Sequence, residues 1–183
     1  MKNYNIKIHY LYHSSFAVET PSHFLIFDYY MDSFDSHKHT LENGLISEDL
    51  IRDKKNLLVF CSHRHPDHFN PIILKWQKVN PETRYILSSD IKIRKPPKNY
   101  YRLSRYESLD LGDIYIKAYG STDVGISFLI KLDGITVFHA GDLNLWQWKE
   151  DSNGEQISAE KNFKMEVGKI KGEKIDFAFF PVD

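Results

Sequence analysis

The chain has 183 residues, 42% of them hydrophobic, and a formal net charge of −1 at pH 7. This length predicts a single domain over residues 1–183, and the balanced charge argues against nucleic-acid or anionic membrane partners, which need an excess of lysine and arginine. The chain shows no signal-peptide core, no apolar stretch of ~20 residues and one cysteine, Cys61. Together these features predict a cytoplasmic protein.

Three short strands are predicted at the start of the chain, over residues 6–12, 16–19 and 24–28, where β-branched and aromatic residues alternate with polar ones. The short turns between them favour an antiparallel meander. Residues 29–43 form a long polar and aromatic loop, which is typical of a segment that covers a site. Its His37 and His39 are interpreted as exposed loop residues or, alternatively, as pocket residues. A helix over residues 47–53 follows, with Ser47 as N-cap.

The most informative stretch is LLVFCSHRHPDHFNP, residues 57–71. A buried apolar strand ends at Cys61, and Asn70-Pro71 is a start signal for a helix over residues 71–79. Between them, the six positions 63–68 contain His63, His65, Asp67 and His68. In an extended segment, the side chains of residues two apart point to the same face. Imidazole and carboxylate groups are good zinc ligands. A metal site is therefore predicted here, with a polar surface turn as the alternative.

Cys61 is interpreted as a small buried hydrophobe, with metal contact as the alternative. A strand over residues 84–88 follows the helix, and the basic residues 92–98 are predicted to form a solvated loop. Further strands are predicted over residues 108–111 and 114–119, and over residues 126–132 and 135–138, which form a hairpin at Asp133-Gly134. A loop over residues 143–156, a helix over residues 158–170 and an apolar strand over residues 175–182 complete the chain.

The stretch HRHPDH matches the His-x-His-x-Asp-His signature of the metallo-β-lactamase superfamily. LYHSSFAVET, near the start, resembles the opening segment of its lactonase-like, cytoplasmic branch of metal-dependent hydrolases. FLIFDYY resembles a strand of the same branch, and VFHAGDLN resembles its Gly-Asp metal motif. The resemblance runs from residue 6 to the last residue. It implies an α/β fold, the metallo-β-lactamase-like αββα sandwich, with a metal site, usually dinuclear, at one edge.

The resemblance also implies roles for individual residues. The metal ligands that it implies are His63, His65, Asp67, His68 and Asp142, the last of which would bridge two ions. Asp28 is implied as an acceptor that orients a ligand histidine, and His13 as a pocket residue. A purely structural role is the alternative for both.

Two departures from the family pattern concern the ligand set. Residues 120–123 read Gly-Ser-Thr-Asp where the family usually has a further histidine. The chain ends at residue 183, where family members usually continue to another histidine, so the resemblance implies that the C-terminal part is lacking. Ser121, Asp123 or His139 could replace a lost ligand, and His139 is alternatively a supporting or structural residue. One or two zinc ions are predicted, with manganese or iron as alternatives.

The predicted activity is hydrolysis of a small-molecule ester, lactone, thioester or phosphodiester by a metal-activated water, with Asp67 orienting the water and accepting its proton. One alternative is a degenerate, non-catalytic metal-binding or interaction protein of the same fold. Another is a nucleic-acid-processing nuclease of the superfamily. An apolar last strand with an open edge would also allow a homo-oligomer.

Overall fold

A computed structural model describes residues 5–33 and 38–182, so His37 of the predicted covering loop lies outside the described residues. The described chain contains two β-sheets and two α-helices, which confirms the α/β class. Its contacts divide it into two compact units, Met1–Arg102 and Leu103–Asp183. Within the described ranges, no helix combines the length and the apolar character needed to cross a bilayer.

The first unit is built on a six-stranded sheet whose strands follow one another in chain order. They are β1 (Lys7–Tyr12), β2 (Ser15–Glu19), β3 (Phe24–Phe27), β4 (Leu57–Cys61), β5 (Arg84–Ser88) and β6 (Tyr100–Leu103). The first three form the predicted antiparallel meander, whereas β3, β4 and β5 run parallel. The sequence did not predict β6, because Pro96 and Pro97 shortly before it are typical of a continuing loop.

Strands β3 and β4 carry uninterrupted apolar runs, and every residue in both is buried. Such runs are typical of parallel strands covered on both faces. Ile26 and Val59 contribute to a hydrophobic core that also contains Trp76. The carboxyl end of β4 is therefore a fixed base for the loop that follows it.

Three short helices accompany this sheet: a 3-10 turn (Leu41–Asn43), α1 (Glu48–Asp53) and a 3-10 helix (Pro71–Lys78). Ser47 caps α1, as predicted, by accepting a hydrogen bond from the backbone of Leu50. The helix predicted after the metal loop is present, but it is of the 3-10 type. Its buried residues, Ile73 and Trp76, are three apart, which matches three residues per turn. The prediction of α-helical spacing for this segment was therefore wrong.

The second unit is built on a five-stranded sheet in the order β11-β10-β9-β8-β7. Its strands are β7 (Ser108–Asp110), β8 (Tyr115–Tyr119), β9 (Ser127–Leu132), β10 (Ile135–His139) and β11 (Phe177–Phe179). The first four are antiparallel, and β11 runs parallel to β10. Asp133 and Gly134 have φ angles of 47° and 75°, as a tight hairpin turn requires, so the predicted hairpin is confirmed.

The helix α2 (Asn153–Ile170) begins five residues before the predicted start at residue 158. The reason is a capping box: the Ser152 hydroxyl accepts from the Glu155 backbone, and the Glu155 carboxylate accepts from the Ser152 backbone. Ile170 and the partly buried Phe163 pack on a core formed with Tyr119. The loop predicted to end at residue 156 is therefore shorter than expected.

Candidate metal centre

The loop after β4 brings together the side chains of three predicted metal ligands. Nε2 of His63 lies 3.1 Å from Nδ1 of His65. The rings of His63 and His68 have centroids 4.1 Å apart. His63 and His68 are buried and His65 is partly exposed. Three imidazoles therefore share one small volume at the end of a rigid strand.

The separation between the first two imidazoles suits a metal ion. Two nitrogen ligands of a tetrahedral zinc, each bonded at about 2.0–2.1 Å, lie about 3.3 Å from each other. The observed 3.1 Å between Nε2 of His63 and Nδ1 of His65 is close to that value. Without a metal, the same distance accommodates one hydrogen bond between the rings. The donor set present in this loop thus fits a divalent ion that prefers imidazole.

Asp28, directly after β3, determines which ring nitrogen carries the proton in two of these histidines. Its Oδ2 accepts hydrogen bonds from Nδ1 of His68 at 2.8 Å and from the Ser62 hydroxyl at 2.6 Å. The hydroxyl has no second proton to donate, so at 3.0 Å it accepts from Nδ1 of His63. Both rings then carry their proton on Nδ1, which directs the Nε2 lone pair of each towards a metal.

The backbone at Asp28 is in the left-handed region, with φ 46°. An aspartate tolerates this conformation better than most residues. This turn places the carboxylate next to the loop that follows β4. There its Oδ1 also accepts a hydrogen bond of 2.6 Å from the backbone N–H of Ser62. Asp28 thus contacts His68, one of the ligands that the resemblance implies, whereas no pattern in the sequence indicated Ser62.

Asp67 and His13 form a more open pair beside the imidazoles. Nε2 of His13 lies 3.5 Å from Oδ2 of Asp67, and their side chains are 45% and 52% exposed. The His13 ring meets the ring of His68 edge-on, with centroids 5.1 Å apart. The first unit therefore brings together the candidate pocket residue and the predicted catalytic carboxylate, and it leaves both accessible to solvent.

Further hydrogen bonds anchor the loop on both sides. Asn70 donates through its backbone to the carbonyl of Tyr29 and through its side chain to that of Tyr30. On the other side, Oδ2 of Asp90 accepts from the backbone N–H of Arg64 at 3.0 Å. Asp90 was not identified from the sequence, because only the register between β4 and β5 brings it beside the loop.

Cys61 is buried, as predicted, and its thiol lies 2.9 Å from the carbonyl of His68, to which it donates. Burial, followed by the negative charge of Asp28, raises the pKa of this thiol well above its usual range. The protonated thiol helps to hold the loop and is not prepared to act as a thiolate ligand.

The second unit contains the remaining candidate residues. Asp142 lies just after β10, and carboxylate oxygens of Asp142 and Asp123 come within 4.8 Å of each other. The backbone N–H of Asp123 donates to the Ser121 hydroxyl at 3.2 Å. The Trp146 indole N–H donates to the carbonyl of Asp142 at 3.0 Å, and the Thr122 hydroxyl donates to the carbonyl of Asn144 at 2.6 Å. Asp123 therefore stands beside Asp142 in the segment where the family usually has a histidine.

His139 ends β10 and is buried. It pairs in register with Phe128 on one side and Phe179 on the other, and its ring centroid lies 6.4 Å from that of Phe179. This position in the strand is compatible with a supporting or structural role, which is the alternative to metal ligation.

The chain resembles known proteins in sequence and in structure. A family model described as a beta-lactamase superfamily domain matches residues 7–153. Igni18, a metallo hydrolase from the hyperthermophilic archaeon Ignicoccus hospitalis, aligns with a TM-score of 0.56 and 22% identity, over 77% of this chain and 62% of that one. CmlA, a diiron beta-hydroxylase from Streptomyces venezuelae, aligns with a TM-score of 0.58 and 13% identity, over 97% of this chain and 34% of that one.

A metallo-beta-lactamase from Staphylococcus aureus aligns with a TM-score of 0.55 and 16% identity, over 97% of this chain and 56% of that one. The chain thus spans less than two thirds of the length of each of these three proteins. No curated protein matches the chain. At these identities the likeness concerns the fold, and it confirms the metallo-β-lactamase-like class that the resemblance implied.

Proposed function

The chain belongs to the beta-lactamase superfamily, and from that premise we propose that it is a metal-dependent hydrolase. The observation that carries the proposal is the pair of ring nitrogens on His63 and His65, 3.1 Å apart. The buried carboxylate of Asp28 orients His68 beside them. Such preorganisation is what a metal site requires and what a polar surface turn does not need.

Zinc is the metal that we propose, because imidazole nitrogens with carboxylate oxygens suit it, although the same ligands also accept iron and manganese. His63, His65 and His68 would provide nitrogen ligands, and Asp67 a carboxylate. Asp142 is proposed as a further ligand on the resemblance of its segment to the Gly-Asp motif.

The protein's own groups would perform the remaining steps. The metal, when bound, supplies a Lewis acid that lowers the pKa of water and polarises the oxygen under attack. Asp67, on the exposed part of the loop, would orient the attacking water and accept its proton. His13, 3.5 Å away, would restrain that carboxylate. We propose a small-molecule ester, lactone, thioester or phosphodiester as the substrate.

The test is a panel of these four substrate classes, assayed with the chelated protein and after addition of zinc, manganese or iron. The expected result is turnover that requires metal and is lost in His65→Ala. His39→Ala is the matched control, because His39 lies outside the metal loop and bonds instead to the carbonyl of Ile46. Metal binding without turnover of any class would favour the non-catalytic alternative.

A further inference from the structure

A cavity lies beside the metal loop, within the first unit. Its volume is about 470 Å³, and it is lined by Arg64, Phe69, Asp90, Ile91 and Lys92. None of the loop's histidines is among these lining residues. A volume of this size accommodates a small organic molecule. The cavity is therefore separate from the imidazole cluster, although it shares the loop backbone with it.

The lining combines an apolar surface with two cationic side chains. Phe69 is partly buried and Ile91 is buried, and both pack on the core of the first unit. Arg64 has a side chain that is 56% exposed, and Lys92 is exposed as well. A ligand that touched all four would need an apolar body and a negatively charged end.

Asp90 holds Arg64 in place without saturating it. Its Oδ2 accepts from the Arg64 backbone N–H at 3.0 Å and lies 3.6 Å from the guanidinium NH1. A guanidinium has five N–H donors in a planar fork, so a single acceptor at that distance leaves capacity for an anion. Within the described residues, Oδ1 of Asp90 is buried without a hydrogen-bond partner.

The charge around the cavity also favours an anion. Arg64 and Lys92 against Asp90 give an excess of one positive charge in the lining. The loop that contains Lys92 continues with the exposed side chains of Arg94, Lys95 and Lys98. Clustered charge of one sign raises the local concentration of oppositely charged ligands. The apolar side chains of the lining and the limited volume favour a small molecule over the extended backbone of a nucleic acid.

We propose that this cavity binds a small amphipathic anion, whose carboxylate or phosphate meets Arg64 and Lys92 and whose apolar body lies on Phe69 and Ile91. The site is independent of the metal and of the hydrolytic activity proposed above. Because Arg64 lies between two predicted metal ligands in the sequence, a ligand bound here would contact the metal loop itself.

The experiment measures binding of phenylacetate to chelated, metal-free protein by amide chemical shifts. Benzylphosphonate tests a phosphate-like head group, phenylacetamide lacks the charge, and acetate lacks the apolar body. We expect phenylacetate to bind about tenfold more tightly than phenylacetamide or acetate, because a charge-assisted hydrogen bond and the burial of a ring each contribute about that factor. The shifts should concentrate in residues 64–69 and 90–92.

Variants that remove one positive charge each test which side chains bind the anion. Arg64→Gln should weaken phenylacetate binding about tenfold and Lys92→Gln about threefold, because charge-assisted contacts of partly exposed side chains have this strength. Lys78→Gln, an exposed lysine outside the lining, should leave binding unchanged. His65→Ala should also retain binding, which separates this site from the metal site.

Three results would overturn the proposal. They are equal affinities for phenylacetate and phenylacetamide, unchanged binding in both Arg64→Gln and Lys92→Gln, and preferential binding of a single-stranded oligonucleotide that these substitutions abolish. Loss of hydrolysis or of metal content in the same variants, measured after metal is added back, would bear only on the function proposed above.

Discussion

Nδ1 of His68 donates a hydrogen bond of 2.8 Å to Oδ2 of Asp28, and both side chains are completely buried. The same carboxylate reaches His63 through the Ser62 hydroxyl. One buried charge therefore sets the tautomers of two predicted metal ligands. Because a buried carboxylate needs such partners, the fold and the proposed metal chemistry depend on the same contact.

Replacement of Asp28 by asparagine tests this relationship with little change of shape. Asparagine tolerates the positive φ of this position, so the backbone should persist. Its amide group would donate to Nδ1 of His68 and drive the ring proton onto Nε2, the nitrogen proposed for the metal. We expect zinc affinity to fall about 10–100-fold, the usual effect of losing such an orienting partner.

Competition with a chromophoric chelator measures that affinity. Asp49→Asn is the matched control, because the Asp49 side chain is 85% exposed in α1 and forms an i,i+3 ion pair with Arg52. Equal zinc affinities in the native protein and in Asp28→Asn would show that the carboxylate acts in folding alone.

Glu173 should make the stability of the protein sensitive to acid. Its carboxylate accepts from the Tyr119 hydroxyl at 2.8 Å and from Nζ of Lys131 at 3.1 Å, and these contacts lower its pKa. A depressed pKa in the folded state means that the stabilisation is present above the unfolded pKa of about 4.3 and is lost as the pH falls through the folded value.

Glu173→Gln should therefore lower the free energy of unfolding by about 1 kcal/mol at pH 7, and the difference should shrink towards pH 3. Urea unfolding at the two pH values measures it, with Glu150→Gln as the control, since Glu150 is exposed. A difference that stays constant with pH would show that the ion pair does not carry the effect.

Ser152 should contribute to the stability of α2 through its capping box. Ser152→Ala removes the hydroxyl that accepts from the Glu155 backbone, and should cost about 1 kcal/mol. Ser158→Ala, an exposed serine inside the same helix, should be neutral or slightly stabilising, because alanine favours the helix interior. Thermal unfolding of both variants compares them, and equal losses would contradict the capping role.

The features that the sequence predicted well are those with strong local signals. The apolar run at β4, the Asn70-Pro71 helix start and the Asp133-Gly134 hairpin depend on neighbouring residues, and all three are present. The clustering of the loop histidines was also predictable, because residues two apart in the extended segment after β4 place their side chains on one face. The role of Asp28 came from the family resemblance alone.

The features that were not predicted depend on long-range contacts or on a weak local signal. Ser62 and Asp90 acquire their roles only when β3, β4 and β5 come into register. The early start of α2 was overlooked because Gly154, a poor helix former, obscured the Ser152–Glu155 capping signal. Asp123, which stands beside Asp142, was a possible replacement ligand through the family resemblance, although no local pattern in residues 120–123 indicated this position.

The most direct test of the central claim is the zinc content per chain after chelation, reloading and dialysis, determined by elemental analysis. We predict at least one retained equivalent in the native protein and in His39→Ala. His65→Ala should lose it, because one of the two nitrogens 3.1 Å apart is then missing. Absence of retained metal in the native protein, or equal metal content in His65→Ala, would contradict the claim that this loop forms a metal centre.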